Sequence, residues 1–297
     1  MKRMIAVASA SRSERGLLEP LIERIQNHPK MALHLIELPT MFSSAFEVAT
    51  ENIIAYKDVD IALCCFDRLE QLGYAMAFYN HQIPIVHLYS GSSVGGNVRD
   101  EVVGMMMSLC ASINLCHDEI AADYCRRLGI EDWRIKVVGS IAFDDVELDY
   151  SALPNSAFDL VLINPDTSSK TNTLNDIKMA LNLVERYAVI IHPNEDEYRE
   201  FIIEEMNKTA REHVIYKSLP RNQFLALIEK AERYLTNSSS MYFEAPYFHT
   251  PCIHIGERNK YRKVGKIVTG GVDKIIKVLE ELSIDERLLR KRLFVEG

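Results

Sequence analysis

No stretch of the sequence approaches the roughly 20 consecutive apolar residues that a membrane-spanning helix needs. The opening, MKRMIAVASASRSERG, breaks into charge too early for a secretory leader with its cleavage site. A cytoplasmic protein without membrane insertion is expected. Cysteine is sparse, with six at positions 64, 65, 110, 116, 125 and 252, none in a C-x-x-C pair. That excludes a zinc ribbon and a disulfide framework, and leaves reduced, mostly buried thiols. His87 and His192 end apolar runs without Cys, Asp or Glu at metal spacing, so no metal is expected. Basic residues are the minority, 34 against 42 acidic, for a net charge of −8. A field of that sign repels phosphate backbones and argues against general nucleic-acid binding. There is no G-x-G-x-x-G fingerprint, no P-loop and no G-x-S-x-G elbow. Dinucleotide binding, P-loop NTPase chemistry and the hydrolase elbow lose their usual signatures. No cofactor is expected.

What is present is a rhythm. Of 297 residues, 47% are apolar and 26% charged, the balance of a globular chain long enough for two domains. Short apolar runs at 4–9, 33–38, 60–66, 83–88, 112–116 and 135–140 read as strands buried on both faces. Helical patterns fill the gaps at 13–26, 43–55, 69–80, 98–109 and 117–128. The polar, Pro-containing stretch 149–159 reads as a linker. A second series follows, with strands at 160–164, 187–192, 213–217, 233–237, 251–256 and 266–270. Its helices fall at 172–186, 195–211, 220–231 and 239–248, with a terminal one at 285–294. The pattern predicts an α/β protein of two Rossmann-like doubly wound domains, 1–150 and 151–297, facing a central cleft. Ligands in such sheets bind outside the carboxyl ends of the strands.

The residues at those ends carry the chemistry. In TNSSSMYFEAP (236–246), Ser238, Ser239 and Ser240 follow a strand and open a helix pattern. Hydroxyls and helix N-terminal amides together suit a diphosphate, whereas a plain cap needs one serine. Glu244, one turn on, can accept two hydrogen bonds from a ribose diol, or stand as a solvated first-turn acid. Arg258 and Arg262 in IGERNKYR offer guanidinium forks for phosphate or a basic surface loop. Arg12 and Glu14 sit at the end of the first strand, which fits a ligand loop or a capped helix equally. Asp67 and Glu70 follow the third strand, as active-site acids or helix caps. Asp100 and Glu101 open the helix after SGSSVGG, where acids also favour the dipole.

Taken in order, ASRSERGLLEPLI, CCFDRLEQLGYAMAFYNHQIPIVHLYSG, INLCHDEIAADYCRRLG, IKVVGS, IHPNED and TNSSSMYFEAPYFHTPCIHIGERNKYR resemble the UDP-N-acetylglucosamine 2-epimerases, above all the hydrolysing branch. The resemblance spans about residues 4–280 and implies the GT-B fold, with UDP-sugar in the cleft. It implies that Ser238–Ser240 hold the diphosphate and Glu244 the ribose hydroxyls. It implies that Arg12, Arg258 and Arg262 reach the phosphates, and it matches Asp67, Glu70, Asp100 and Glu101 to the family's reaction acids. It further implies a terminal helix packed on the first domain, and the possibility of a homodimer. Ser92 stands where the family's H-x-x-G-G-E has its glutamate, Gly104 and Met105 replace an R-H pair, and Asn164 replaces a histidine. The first expectation is therefore release of UDP and N-acetylmannosamine for surface-polysaccharide or sialic-acid-like sugar synthesis. Glycosyl transfer, hydrolysis without epimerisation, and non-catalytic UDP-sugar binding stay open beside it.

Overall fold

The computed structural model describes residues 2–56, 58–93, 98–185, 187–209 and 213–292, except the side chains of Arg12, Ser13, Val98 and Arg99. Two compact units emerge. The first runs to Asp145 and takes back the chain from Lys263; the second runs from Val146 to Arg262.

The first unit is a six-stranded parallel sheet. Its strands are β1 (Arg3–Ser9), β2 (Met31–Glu37), β3 (Ile61–Cys65), β4 (Ile85–Leu88), β5 (Ile113–Cys116) and β6 (Ile135–Val137), in the order β2-β1-β3-β4-β5-β6. Alternation along β1 shows why both faces must be covered. Ile5 and Val7 join one apolar layer, with Leu18, Leu21, Ile22 and Ile25 of α1 (Arg12–Gln26). Ala6 and Ala8 join the other, with α2 (Phe42–Ala55) and α3 (Leu69–Asn80). Successive strand residues point to opposite faces, so an all-apolar strand needs a helix on each side. Also in this unit are α4 (Val98–Cys110) and α5 (Glu119–Arg127).

The second unit is a five-stranded parallel sheet of β7 (Asp159–Leu162), β8 (Ala188–Ile191), β9 (Val214–Tyr216), β10 (Arg233–Thr236) and β11 (Cys252–His254), in the order β11-β10-β7-β8-β9. Its helices are α6 (Lys170–Leu183), α7 (Arg199–Lys208), α8 (Arg221–Lys230) and the short α9 (Glu244–Phe248). In each sheet the winding reverses once, between β1 and β3 and between β7 and β10. Those reversals put loop ends side by side where a ligand can enter.

Three expectations change. Residues 266–270 form no strand. Gly139 turns at φ +94° beneath Val268, whose carbonyl accepts a single bond from Ser140 N at 2.8 Å. The chain then enters α10 (Gly271–Glu281), which the sequence reading passed over. Its Val272, Ile275, Ile276 and Leu279 have helical spacing and pack with α1, and Asp144 caps it through Gly270 N and Val272 N at 2.9 and 2.7 Å. The expected terminal helix is only α11 (Glu286–Leu289). Buried Arg134 holds it by donating to the carbonyls of Arg287, Leu288 and Arg290 at 2.8 Å each. Finally, 239–248 is a 3-10 turn, Ser239–Met241, followed by α9. Pro246 has no N–H to give the Tyr242 carbonyl four residues back, which favours the break before α9, whereas α1 runs on through Pro20.

Candidate functional site

At the carboxyl end of the first sheet, β3 and β4 terminate alike. Phe66 and Tyr89, each just past its strand, have φ +63° and +62°. Their rings stack at 5.0 Å and 17°. Large side chains seldom adopt this backbone, and such strain gathers where geometry serves function. The Phe66 turn delivers Asp67 against α4, where a Cβ added at Gly104 would lie 3.2 Å from the Asp67 Cβ. Gly104 is four residues beyond Asp100 and three beyond Glu101, so it shares their helix face. The glycine lets α4 approach Asp67 this closely. Glu101 accepts a bond from Ser93 Oγ at 3.3 Å.

Glu70 lies apart from this trio. It is 3% exposed and paired with Arg68. Arg12 opens α1, but its side chain lies outside the described residues. Behind the same loop sits a cluster that sequence reading did not assemble. Glu14 accepts from Ala10 N at 2.6 Å, Gln71 Nε2 at 2.7 Å and Cys65 Sγ at 3.2 Å. Burial pushes its carboxyl above the ordinary value, against the pull of those donors. Gln71 was the missing signal: an uncharged polar residue in the apolar face of a helix pattern.

At the winding reversal of the second sheet the groups are amides. Asn237, directly after β10, accepts from Asn164 N at 2.7 Å and donates to Asn164 O at 2.8 Å. Asn164 Oδ1 in turn accepts from Asn194 N at 3.0 Å. Asn259 donates to Asn237 O, accepts from Arg262 Nε at 2.8 Å, and its own carbonyl accepts from Tyr242 at 2.8 Å. Asn164 is thus engaged in joining the ends of β7, β8 and β10. Asp176 of α6 lies beneath, bonded to Asn237 Nδ2 at 3.2 Å, and burial pushes it up to about 6. Gly256, at φ +69°, rests on that carboxylate, and a Cβ there would run into both oxygens.

The three serines have different surroundings. Ser238 N donates to Thr236 Oγ1 at 2.9 Å, and Ser238 Oγ accepts from Ser240 N at 3.3 Å. Ser240 is buried, with its hydroxyl 2.7 Å from the Tyr234 hydroxyl. Glu244 faces Arg221, whose two terminal nitrogens lie 3.3 Å from Oε1. Arg221 went unnoticed because it opens a different helix, 23 residues earlier. Arg258 is 3.8 Å from Asp196, and Arg262 lies over the Phe243 ring at 5.9 Å. Among the described residues, no three His, Cys, Asp or Glu are grouped to hold a metal ion, and no helix is long and apolar enough to cross a membrane.

The model of a family described as UDP-N-acetylglucosamine 2-epimerase matches residues 26–294. GDP/UDP-N,N'-diacetylbacillosamine 2-epimerase (hydrolyzing) of Campylobacter jejuni is 26% identical, over 96% of this chain and 88% of its own. UDP-N-acetylglucosamine 2-epimerase of Neisseria meningitidis is 26% identical, over 90% of this chain and 83% of its own. In structure, the N. meningitidis enzyme bound to UDP-GlcNAc superimposes with TM-score 0.74 at 14% identity, covering 95% and 92% of the two chains. That of Methanocaldococcus jannaschii in complex with UDP-GlcNAc and UDP gives 0.72 at 18%, covering 99% and 95%. These likenesses place the two Rossmann-like units in the GT-B class of fold.

Proposed function

Because the chain belongs to the UDP-N-acetylglucosamine 2-epimerase family, we propose that it is a cytoplasmic hydrolysing 2-epimerase. It converts UDP-N-acetylglucosamine and water to UDP and N-acetylmannosamine, for surface-polysaccharide or sialic-acid-like sugar synthesis. The observation that carries this reading is the meeting of Asp67 with the face of α4 that bears Asp100 and Glu101. The reaction breaks C2–H and the C1–oxygen bond to UDP. It then forms C2–H on the opposite face and a C1–oxygen bond from water. A C2 hydrogen is only weakly acidic, so one group must take the proton and another return it, while the leaving diphosphate needs charge stabilisation. Asp67 and Glu101 are assigned the proton transfers, with Asp100 beside them. Glu70, buried and paired with Arg68, keeps the β3–α3 turn in place. In the second unit, Ser238 and Ser239 receive the diphosphate with Arg258 and Arg262. Ser240 supports them from the Tyr234 side, and Glu244 takes the ribose hydroxyls. Arg12 is assigned to the phosphates from the loop after β1.

The test is incubation with UDP-N-acetylglucosamine, followed by NMR. Free N-acetylmannosamine with stoichiometric UDP is expected, and solvent deuterium should appear at C2. Free N-acetylglucosamine alone overturns epimerisation in favour of plain hydrolysis. No turnover, with or without acceptors, overturns the enzymatic reading. The relative named for diacetylbacillosamine makes the corresponding diacetamido sugar nucleotide the natural second substrate in the same assay.

A further inference from the structure

His87 lies in β4, fully buried, and has no part in the chemistry assigned above. Its Nε2 is 2.8 Å from the Phe66 carbonyl oxygen, and its Nδ1 is 3.3 Å from Ser108 Oγ of α4. A carbonyl only accepts, so Nε2 carries the hydrogen, and the single Ser108 hydroxyl hydrogen is shared between the lone pair of the neutral ring's Nδ1 and the Gly104 carbonyl. Burial drives the ring's pKa down to about 4, which keeps it in that neutral form near pH 7.

The two ends of this contact are what matter. The Phe66 carbonyl belongs to the peptide unit that carries Asp67, and Phe66 is held at φ +63°. Ser108 Oγ lies 2.8 Å from the Gly104 carbonyl, at the residue that packs on Asp67. It also accepts from Gly91 N at 3.4 Å and lies 2.8 Å from Ser90 Oγ. One imidazole thus touches the turn that presents Asp67 and the helix that presents Asp100 and Glu101. A strained turn keeps its shape only if its surroundings over-determine it.

We propose that His87 and Ser108 form a positioning bridge that sets Asp67 in register with the acids of α4. Neither touches the reacting atoms. The proposal rests on the epimerase reading for its kinetic consequence, while the geometry it asserts is independent of that reading. A generic core histidine and a positioning bridge differ in what they disturb. Loss of a generic pillar loosens the whole unit, whereas loss of the bridge loosens only the Asp67 turn and the first turns of α4.

The experiment uses the full chain with Ser108→Ala, His87→Leu and His87→Gln. Steady-state turnover of UDP-N-acetylglucosamine, UDP affinity by calorimetry and hydrogen–deuterium exchange are measured on each. Misplacement of a catalytic group by about 1 Å can cost about 100-fold in rate. His87→Leu is therefore expected to lower kcat about 100-fold and Ser108→Ala about 10-fold, with KM and UDP affinity within about twofold. His87→Gln, which can still donate to Phe66, is expected to recover part of the loss. Exchange should quicken around Phe66–Asp67 and along Asp100–Ser108, but not in β1 or α1. Ser108→Ala carries the test if His87→Leu fails to fold. Unchanged kcat in an active enzyme overturns the bridge, whatever the exchange shows. A rise in exchange throughout the unit overturns it too. If the unmodified protein never turns over, the proposed reaction falls, and the exchange pattern alone decides: local quickening sustains the bridge and uniform or absent quickening ends it.

Discussion

The two winding reversals are built from opposite materials. In the first unit, carboxyl groups crowd the strand ends. Glu14 is buried under the loop after β1, Asp67 rests on α4, and neutral His87 stands behind them. In the second, three asparagines tie the strand ends together through uncharged bonds, with a single buried carboxyl, Asp176, below. The difference suits a division of labour. Proton transfer needs groups that can change charge, while a diphosphate already carries charge and is best met by fixed donors. Amides bonded on several sides cannot drift, and they hold the Ser238–Ser240 turn and the Arg258–Arg262 loop in one frame.

That contrast can be broken in order of expected effect. Asp67→Asn should lower turnover by about 100-fold or more, the scale of losing a general acid or base. UDP affinity by calorimetry should stay the same, and a matching loss of affinity would erase the division. Next, Ser239→Ala should weaken UDP binding by about 1–3 kcal/mol, as for lost hydrogen bonds to a charged group. Ser240→Ala should instead lower the melting temperature, because it removes the Tyr234 partner inside the core. Equal affinity losses in the two variants would show that Ser240 meets ligand directly. A smaller effect is expected at Glu244. UDP should bind better than its 2′-deoxy analogue by about 1 kcal/mol, and Glu244→Gln should narrow the gap. A gap that survives the substitution would reassign the ribose contact.

The last test, and the one that sharpens the comparison most, is of stability against pH. The His87 pKa falls from 6.5 to about 4 on folding. Its contribution is present above pH 6.5 and is lost as pH falls toward 4, because the unfolded chain takes up the proton first. The Asp176 pKa rises from 3.8 to about 6, chiefly by burial and then by the nearby Asp166 and Glu257 charges, with the Asn237 bond opposing. Its contribution is full below 3.8 and is lost as pH rises through 6. The two units thus respond in opposite directions between pH 4 and 6. Melting temperatures across that range should show His87→Gln flattening the acid-side loss and Asp176→Asn flattening the neutral-side loss. Parallel curves for both variants and the parent would refute the assignment.

Much of this is legible in the sequence. Eleven of the twelve apolar runs are strands, because a run of four to seven apolar residues between turn residues has few other ways to bury both faces. The exception, 266–270, shows where that logic stops: the run lies near the end of the edge strand β6 but meets it only through the bond from Ser140 N to Val268 O, past the strand's end, and forms no ladder. The α10 pattern was visible as period, yet it stood next to that run and was passed over. The SSSMYFEAP signal located the turn after β10 but not its shape, since a 3-10 turn and then the short α9 stand where the serines were expected to open one helix.

The sequence by itself determined the βα alternation, the family, and which residues stand at strand ends, because those follow from local pattern and chain order. Only the tertiary structure decided which of these residues meet. Glu70 and Asp67 are three positions apart, yet one turns inward to Arg68 and the other rests on a helix that begins 31 positions beyond it. Ser240 and Ser238 are two apart, and only one reaches Tyr234. Asn164, Asn237 and Asn259 are scattered over the second unit and become one cluster when β7, β10 and β11 align. Side-chain partners across a parallel sheet are set by register and by the packing of crossover helices, and neither is written in the spacing of residues along the chain.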